Sequence, residues 1–183
     1  MKLIFAQGNP GPEYAMTRHN IGWVILDAFA REYDTSFQMR DKFKSEIAET
    51  TIHDEKVLFV RPQTFYNETG PAARAIADFY KLETADVLVI HDELALPFGT
   101  VRTREKGSDA GNNGIKSLNT HLGPDYKRIR VGVWNERRDQ MGDVNFVLGK
   151  LSKDEQDALP EIIQKTHRII DGFIVGSFTS QTV

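Results

Sequence analysis

The sequence predicts an α/β fold, a three-layer sandwich with a mixed central β-sheet and helices on both faces, in a single domain over residues 1–183. Three observations predict it. Short apolar runs that stop at turn residues alternate along the chain with segments of helical periodicity. One run, Val87-Leu88-Val89-Ile90, is continuously apolar, as in a strand covered on both faces. Two further β-leaning runs, Ser45 to Ile52 and Lys56 to Arg61, are separated only by His53-Asp54-Glu55 and form a hairpin, which makes the sheet mixed.

Residues 2 to 6 form the first buried strand and end at the turn Gly8-Asn9-Pro10-Gly11. From Asn20, a plausible N-cap, Ile21, Val24, Ile25, Ala28 and Phe29 recur at helical spacing. His19 therefore stands at a helix N-terminus, where free N–H groups and the positive dipole end favour a neutral imidazole. Residues 38 to 44 are polar and basic and predict a loop. After the hairpin, Pro62 to Gly70 carries Asn67 into a helix opened by Pro71 and built on Ala72, Ala75, Ile76, Phe79 and Tyr80. The apolar strand ends in His91-Asp92-Glu93, which places carboxylates where open α/β sheets bind ligands.

Leu96-Pro97-Phe98-Gly99 turns into a strand from Thr100 to Arg104 whose alternation puts Arg102 and Arg104 on one face. Glu105 to Gly111 is a glycine-containing loop. Asn112-Asn113-Gly114 opens a short helix ending near Gly123, and Lys127 to Val133 alternates as a strand. Trp134 to Asp143 is charged and predicts a long loop. Ser152-Lys153-Asp154-Glu155 is a capping box ahead of Leu159, Ile162, Ile163, Thr166, Ile169, Ile170 and Phe173. Pro160 would bend that helix or delay its start, and His167 falls on its solvated side.

Composition narrows the function. The chain has 40% hydrophobic and 27% charged residues and no cysteine, which removes disulfide frameworks, thiolate metal sites and thiol nucleophiles. The N-terminal apolar run is too short for a signal peptide, and no run reaches membrane-spanning length, so the expected location is cytoplasmic. The net charge of -3 conceals an excess of five positive charges between Phe98 and Arg138. A basic region on an acidic body marks either one face for an anionic ligand or simply a solvated face. Gly8-Asn9-Pro10-Gly11 matches neither the dinucleotide fingerprint nor a P-loop.

The polar residues that stand out, Asn9, Tyr14, His19, Asn67, Asp92 and Asn113, all follow strands or open helices, so one sheet edge could collect them. His19 and Asp92 would make a base and its orienter, and the amides could donate to a carbonyl and to the oxyanion it becomes. No serine sits in G-x-S-x-G, so water activated by the histidine is the economical hydrolytic chemistry. Taken singly, each has a blander reading. A histidine before a helix is more often a structural residue, and Asn9, Asp92 and Asn113 suit turns and caps. His91, Asp92, Glu93 and His19 could also suggest a divalent metal, though without H-E-x-x-H spacing.

Gly8-Asn9-Pro10-Gly11, Thr17-Arg18-His19-Asn20, Thr64-Phe65 with Asn67, His91-Asp92-Glu93-Leu94, Leu96-Pro97-Phe98-Gly99, Asn113-Gly114 and Phe146-Val147-Leu148-Gly149-Lys150, in this order, resemble the bacterial peptidyl-tRNA hydrolases over nearly the whole chain. That resemblance implies a monomeric enzyme without metal or cofactor that cleaves the ester between a peptide and tRNA, recycling tRNA dropped by the ribosome. It implies His19 as the base and Asp92 as its partner. Asn9, Asn67 and Asn113 would hold peptide and carbonyl, Tyr14 and Tyr66 would lie near the substrate, and Arg102, Arg104 and Arg130 would contact tRNA phosphate. The chain departs from the family pattern at Tyr66, Ala95, Asn112, Ser108-Asp109 and Trp134-Asn135. These departures keep open a non-catalytic RNA-binding relative, and a metal-dependent phosphoesterase using Asp92 and Glu93 is a third possibility.

Overall fold

The computed structural model describes residues 1–183. Its centre is a seven-stranded sheet in the order β2-β3-β4-β1-β5-β7-β6, with β1 at Lys2–Ala6, β2 at Gln38–Arg40, β3 at Ser45–Ile52, β4 at Glu55–Pro62, β5 at Val87–Pro97, β6 at Val101–Arg104 and β7 at Lys127–Trp134. The four inner strands β4, β1, β5 and β7 are parallel, while β2, β3 and β6 pair antiparallel. The sheet is therefore mixed, as the hairpin requires.

Alternation along the inner strands builds the two outer layers. Ile4, Ala6, Leu88 and Ile90 turn to one face and pack with α1, Ile21–Glu32, and α6, Lys153–Ile174. Leu3, Phe5, Val87 and Val89 turn to the other face, against α2, Gly70–Tyr80, and α3, Asn113–Leu122. Two short helices, α4 at Arg138–Met141 and α5 at Asp143–Leu148, complete the fold. β1 lies between β4 and β5 in the sheet, and the chain leaves β1 for α1 on one face and β4 for α2 on the other, so the loops at the C-terminal ends of these neighbouring strands diverge around a crevice. At that edge α1 approaches the sheet so closely that a Cβ on Gly22 would lie 2.8 Å from the Ile90 carbonyl oxygen.

Several expectations are corrected. Residues 38–44 are not a loop: β2 adds to the sheet edge and a 3-10 turn follows at Asp41–Phe43, because Gln38, Met39 and Arg40 pair with β3 despite their polarity. His91, Asp92 and Glu93 do not follow a strand but continue β5, paired with Arg130, Val131 and Gly132 of β7. Trp134 to Asp143 contains the end of β7 and α4. Asn20 makes no capping bond to α1. The capping box of Ser152 and Glu155 is present and α6 starts there, so Pro160 delays nothing. His167 is buried, with Nδ1 2.9 Å from Glu32 Oε1 and its ring edge-on to Phe29, because a carboxylate from α1 reaches over to satisfy it.

Candidate active site

The loop after β1 is fixed at its neck by an amide. Asn20 Oδ1 accepts the Asn9 N–H at 2.9 Å, and Asn20 Nδ2 donates to the Asn9 carbonyl at 2.9 Å. The side chain of Asn20 thus behaves like a neighbouring strand, which is why it caps nothing. Arg18 is buried inside the same loop. Its Nε and Nη2 fork onto Glu155 of α6 at 2.9 and 2.7 Å, and its guanidinium lies over Phe146. Between these two anchors the 3-10 turn Arg18–Asn20 presents His19 to the crevice.

His19 Nδ1 lies 2.9 Å from Asp92 Oδ2, with side-chain exposures of 15% and 3%. Burial alone would raise the Asp92 carboxyl, but His19, by charge and hydrogen bond, and the Tyr66 hydroxyl outweigh it and hold the group below the usual carboxylate range. An ionised Asp92 only accepts, so the hydrogen of a neutral His19 sits on Nδ1 and Nε2 keeps its lone pair. Tyr66 stands on the turn after β4 and stacks on the His19 ring, with centroids 3.5 Å apart and an interplanar angle of 12°. Its hydroxyl donates to Asp92 Oδ1 at 2.6 Å. Burial, then the charge of Asp92, pushes that phenol well above its ordinary value.

Beside this pair lies a cavity of about 560 Å³. Asn9, His19, Tyr66, Asn67, Asp92 and Asn113 line it, with Phe65, Leu94, Val144, Val147 and Leu148 forming apolar walls. The residues expected at one sheet edge therefore meet there, with two exceptions in use. Tyr14, in the turn Pro12–Tyr14, is half-buried and not part of the lining; its carbonyl accepts the Thr17 hydroxyl at 2.8 Å. Tyr66 lines the cavity, but its hydroxyl is occupied by Asp92. Asn9 Oδ1 accepts the Tyr66 N–H at 2.8 Å, which leaves its Nδ2 hydrogens as the part it can offer a ligand.

The basic strand expected from the sequence is β6. Arg102 stands opposite Arg130 and Arg104 opposite Arg128 on β7, so all four arginines share a sheet face. They differ in their partners. Arg130 is paired with Glu93 at 2.8 Å, and Arg128 is buried with Nη1 on the Ser108 carbonyl, tying down the 105–111 loop. Arg102 bonds only Thr182 Oγ1 and Arg104 only the Thr103 carbonyl, with no carboxylate on either. No three His, Asp or Glu side chains converge as a set of metal ligands.

Sequence reasoning missed Arg18, Glu155, Arg128 and the second role of Asn112, which donates to the Tyr66 hydroxyl at 3.2 Å. Arg18 adjoins His19 in the chain, yet its partner is 137 positions away and nothing local points to it. Arg128 was visible as an arginine alternating with apolar strand residues, a pattern that can mark burial.

Residues 3–182 match the sequence model of the family described as peptidyl-tRNA hydrolase. A peptidyl-tRNA hydrolase of Fusobacterium nucleatum is 42% identical over 171 residues, covering 93% of this chain and 87% of its own. Another, of Halalkalibacterium halodurans, is 43% identical over 176 residues, with 94% and 93% covered. The crystal structure of peptidyl-tRNA hydrolase from Acinetobacter baumannii superposes with a TM-score of 0.87 at 29% identity, over 96% of this chain and 89% of that one. With a family model that spans nearly the whole chain and relatives more than 40% identical over most of it, the chain belongs to the peptidyl-tRNA hydrolase family.

Proposed function

We propose that this protein hydrolyses the ester between the peptide and the tRNA ribose in peptidyl-tRNA, using water activated by His19. The observation that carries the reading is the geometry of His19: Nδ1 is held by Asp92, and Nε2 is free beside an open cavity lined by both polar and apolar side chains. Nε2 takes a proton from water as the oxygen attacks the ester carbonyl. The oxyanion is met by amide hydrogens from Asn9, Asn67 and Asn113, and Asp92 stabilises the imidazolium. Collapse breaks the bond to the ribose oxygen, which takes the proton back from Nε2. Water and ester thus become a carboxylic acid and a free hydroxyl, and His19 is neutral again.

The peptide lies along Phe65, Leu94, Val144 and Leu148, while Arg102 and Arg104, with Arg130 beside them, face tRNA phosphate. Arginine forks onto phosphate in a way that lysine cannot, so these positions suit a backbone clamp. All of these groups come from one chain, and we read the enzyme as a monomer. The test is release of product from N-acetyl-aminoacyl-tRNA and from unblocked aminoacyl-tRNA, with and without EDTA. The first is cleaved, the second poorly, and EDTA changes neither. His19→Ala loses roughly 10²- to 10⁴-fold in kcat. A folded His19→Ala protein of undiminished activity would show that another group is the base.

A further inference from the structure

Two side chains, Tyr66 and Asn112, stand behind the His19–Asp92 pair in one hydrogen-bonded line. We propose that Tyr66 is a positioning residue of the pair and that Asn112, through the Tyr66 hydroxyl, decides where its proton points. The inference rests on the hydrolytic reading above and names what governs its base.

The sense of the line follows from donors and acceptors. Asn112 is the N-cap of α3: its Oδ1 accepts the Ile115 N–H at 3.0 Å, so the amide can present only Nδ2 to its other neighbour. That neighbour is the Tyr66 hydroxyl oxygen, 3.2 Å away, which must therefore accept. The single hydroxyl hydrogen is left for Asp92 Oδ1, at 2.6 Å. Asp92 Oδ2 is then the oxygen that faces His19. A helix cap thus fixes a hydroxyl, the hydroxyl fixes a carboxylate, and the carboxylate fixes the imidazole.

The Tyr66 ring has little freedom to leave this line. Its backbone N–H is held by Asn9, His19 covers one of its faces, and α3 crowds it closely enough that a Cβ on Gly114 would come within 2.3 Å of Cε1. Without the hydroxyl, Asp92 Oδ1 would be a buried carboxylate oxygen with no donor. The carboxylate would then concentrate its charge on His19 and hold the imidazolium more tightly, which makes a poorer base at a given pH. The other charged groups near Asp92 are accounted for. His91 and Glu93 flank it on β5, Glu93 is turned to Arg130, and Arg138 across the cavity is paired with Asp143.

The test uses Tyr66→Phe, which keeps the ring and its stacking, and Asn112→Ser, which keeps a capping oxygen but cannot reach the hydroxyl. Tyr66→Phe is expected to lower kcat about 10- to 100-fold, with KM changed less than about threefold, and to move the acid limb of the kcat/KM profile to higher pH. Asn112→Ser gives a smaller loss and a shift in the same direction. The double variant is no worse than Tyr66→Phe alone, because Asn112 acts through the hydroxyl. A Tyr66→Phe profile identical in shape and midpoint to the parent, or additive losses in the double variant, would overturn the proposal.

A second readout needs no turnover: NMR of the His19 ring nitrogens across pH in the free protein. An upward displacement in Tyr66→Phe supports the relay even if the parent fails to cleave peptidyl-tRNA, which would sink the functional reading alone. An unmoved titration in an active parent sinks the relay alone.

Discussion

Replacing Arg18 with methionine removes the guanidinium that ties the His19 loop to α6 while keeping most of the stem's volume. Both partners of the ion pair are buried, Arg18 at 2% exposure and Glu155 at 6%. Loss of one partner from a buried pair costs about 3–5 kcal/mol, because the other charge is left uncompensated. Here Glu155 keeps two donors, Asn135 Nδ2 at 2.8 Å and the Ser152 N–H at 2.7 Å, which places the cost near the lower end, about 3 kcal/mol. For a domain of this length that is a fall of roughly 6–12 °C in Tm. Arg18→Met/Glu155→Leu removes the stranded charge together with the capping box, so its cost is expected to be smaller than the sum of the single losses by about 2 kcal/mol. Urea unfolding of the four proteins measures the cycle, with a constant m-value as the condition for comparing midpoints. Because Arg18 adjoins His19, kcat should fall in the single variant at temperatures where it remains folded. An Arg18→Met protein within about 0.5 kcal/mol of the parent and equally active would refute the idea that this pair holds the loop.

Two further outcomes follow from charge. Burial, above all, pushes the His91 imidazole down to about 4; above its unfolded value of about 6.5 neither state is protonated, and as pH falls the unfolded chain takes up a proton that the folded one refuses. The parent should therefore lose roughly 3 kcal/mol relative to His91→Asn between about pH 6.5 and pH 4. Parallel urea midpoints for the two across that window would refute the assignment. Charge reversal at Arg102 and Arg104 should raise KM with little effect on kcat and flatten the dependence of log KM on log salt by roughly 0.9 for each phosphate that is no longer neutralised. Equal KM at every salt concentration would show that neither arginine meets a phosphate.

Elements whose apolar residues repeat were legible in the sequence, and the edge on which the polar residues gather followed from them. β1, the β3–β4 hairpin, α1 and α6 each carry enough periodic burial to identify themselves. The continuation of β5 did not, since apolarity stops at Ile90 while backbone pairing with β7 runs on through Glu93. His167 escaped for a related reason: a polar residue in a helix reads as solvated unless its partner is known, and Glu32 is on another helix. Within the site, His19 and Asp92 were named as partners, but what surrounds them was not. Tyr66 reads as a substrate contact until the 2.6 Å bond to Asp92 is seen, and Asn112 reads only as the opening of a short helix until its cap and its bond to Tyr66 are seen together. Such bonds join side chains 26 and 46 positions apart, and no local pattern records them.

Asn9 carries a consequence for what can occupy the cavity. Its backbone N–H and carbonyl are both taken by Asn20, and its side-chain oxygen is taken by the Tyr66 backbone. Every accepting atom of the residue is thus engaged by the fold, and the amide cannot be turned over to present oxygen instead. With one lone pair of that oxygen already engaged, the Nδ2 hydrogens are the larger part of what Asn9 offers an occupant, which favours a carbonyl or an oxyanion. The wall beside His19 therefore carries a donor whose direction is set by the backbone around it.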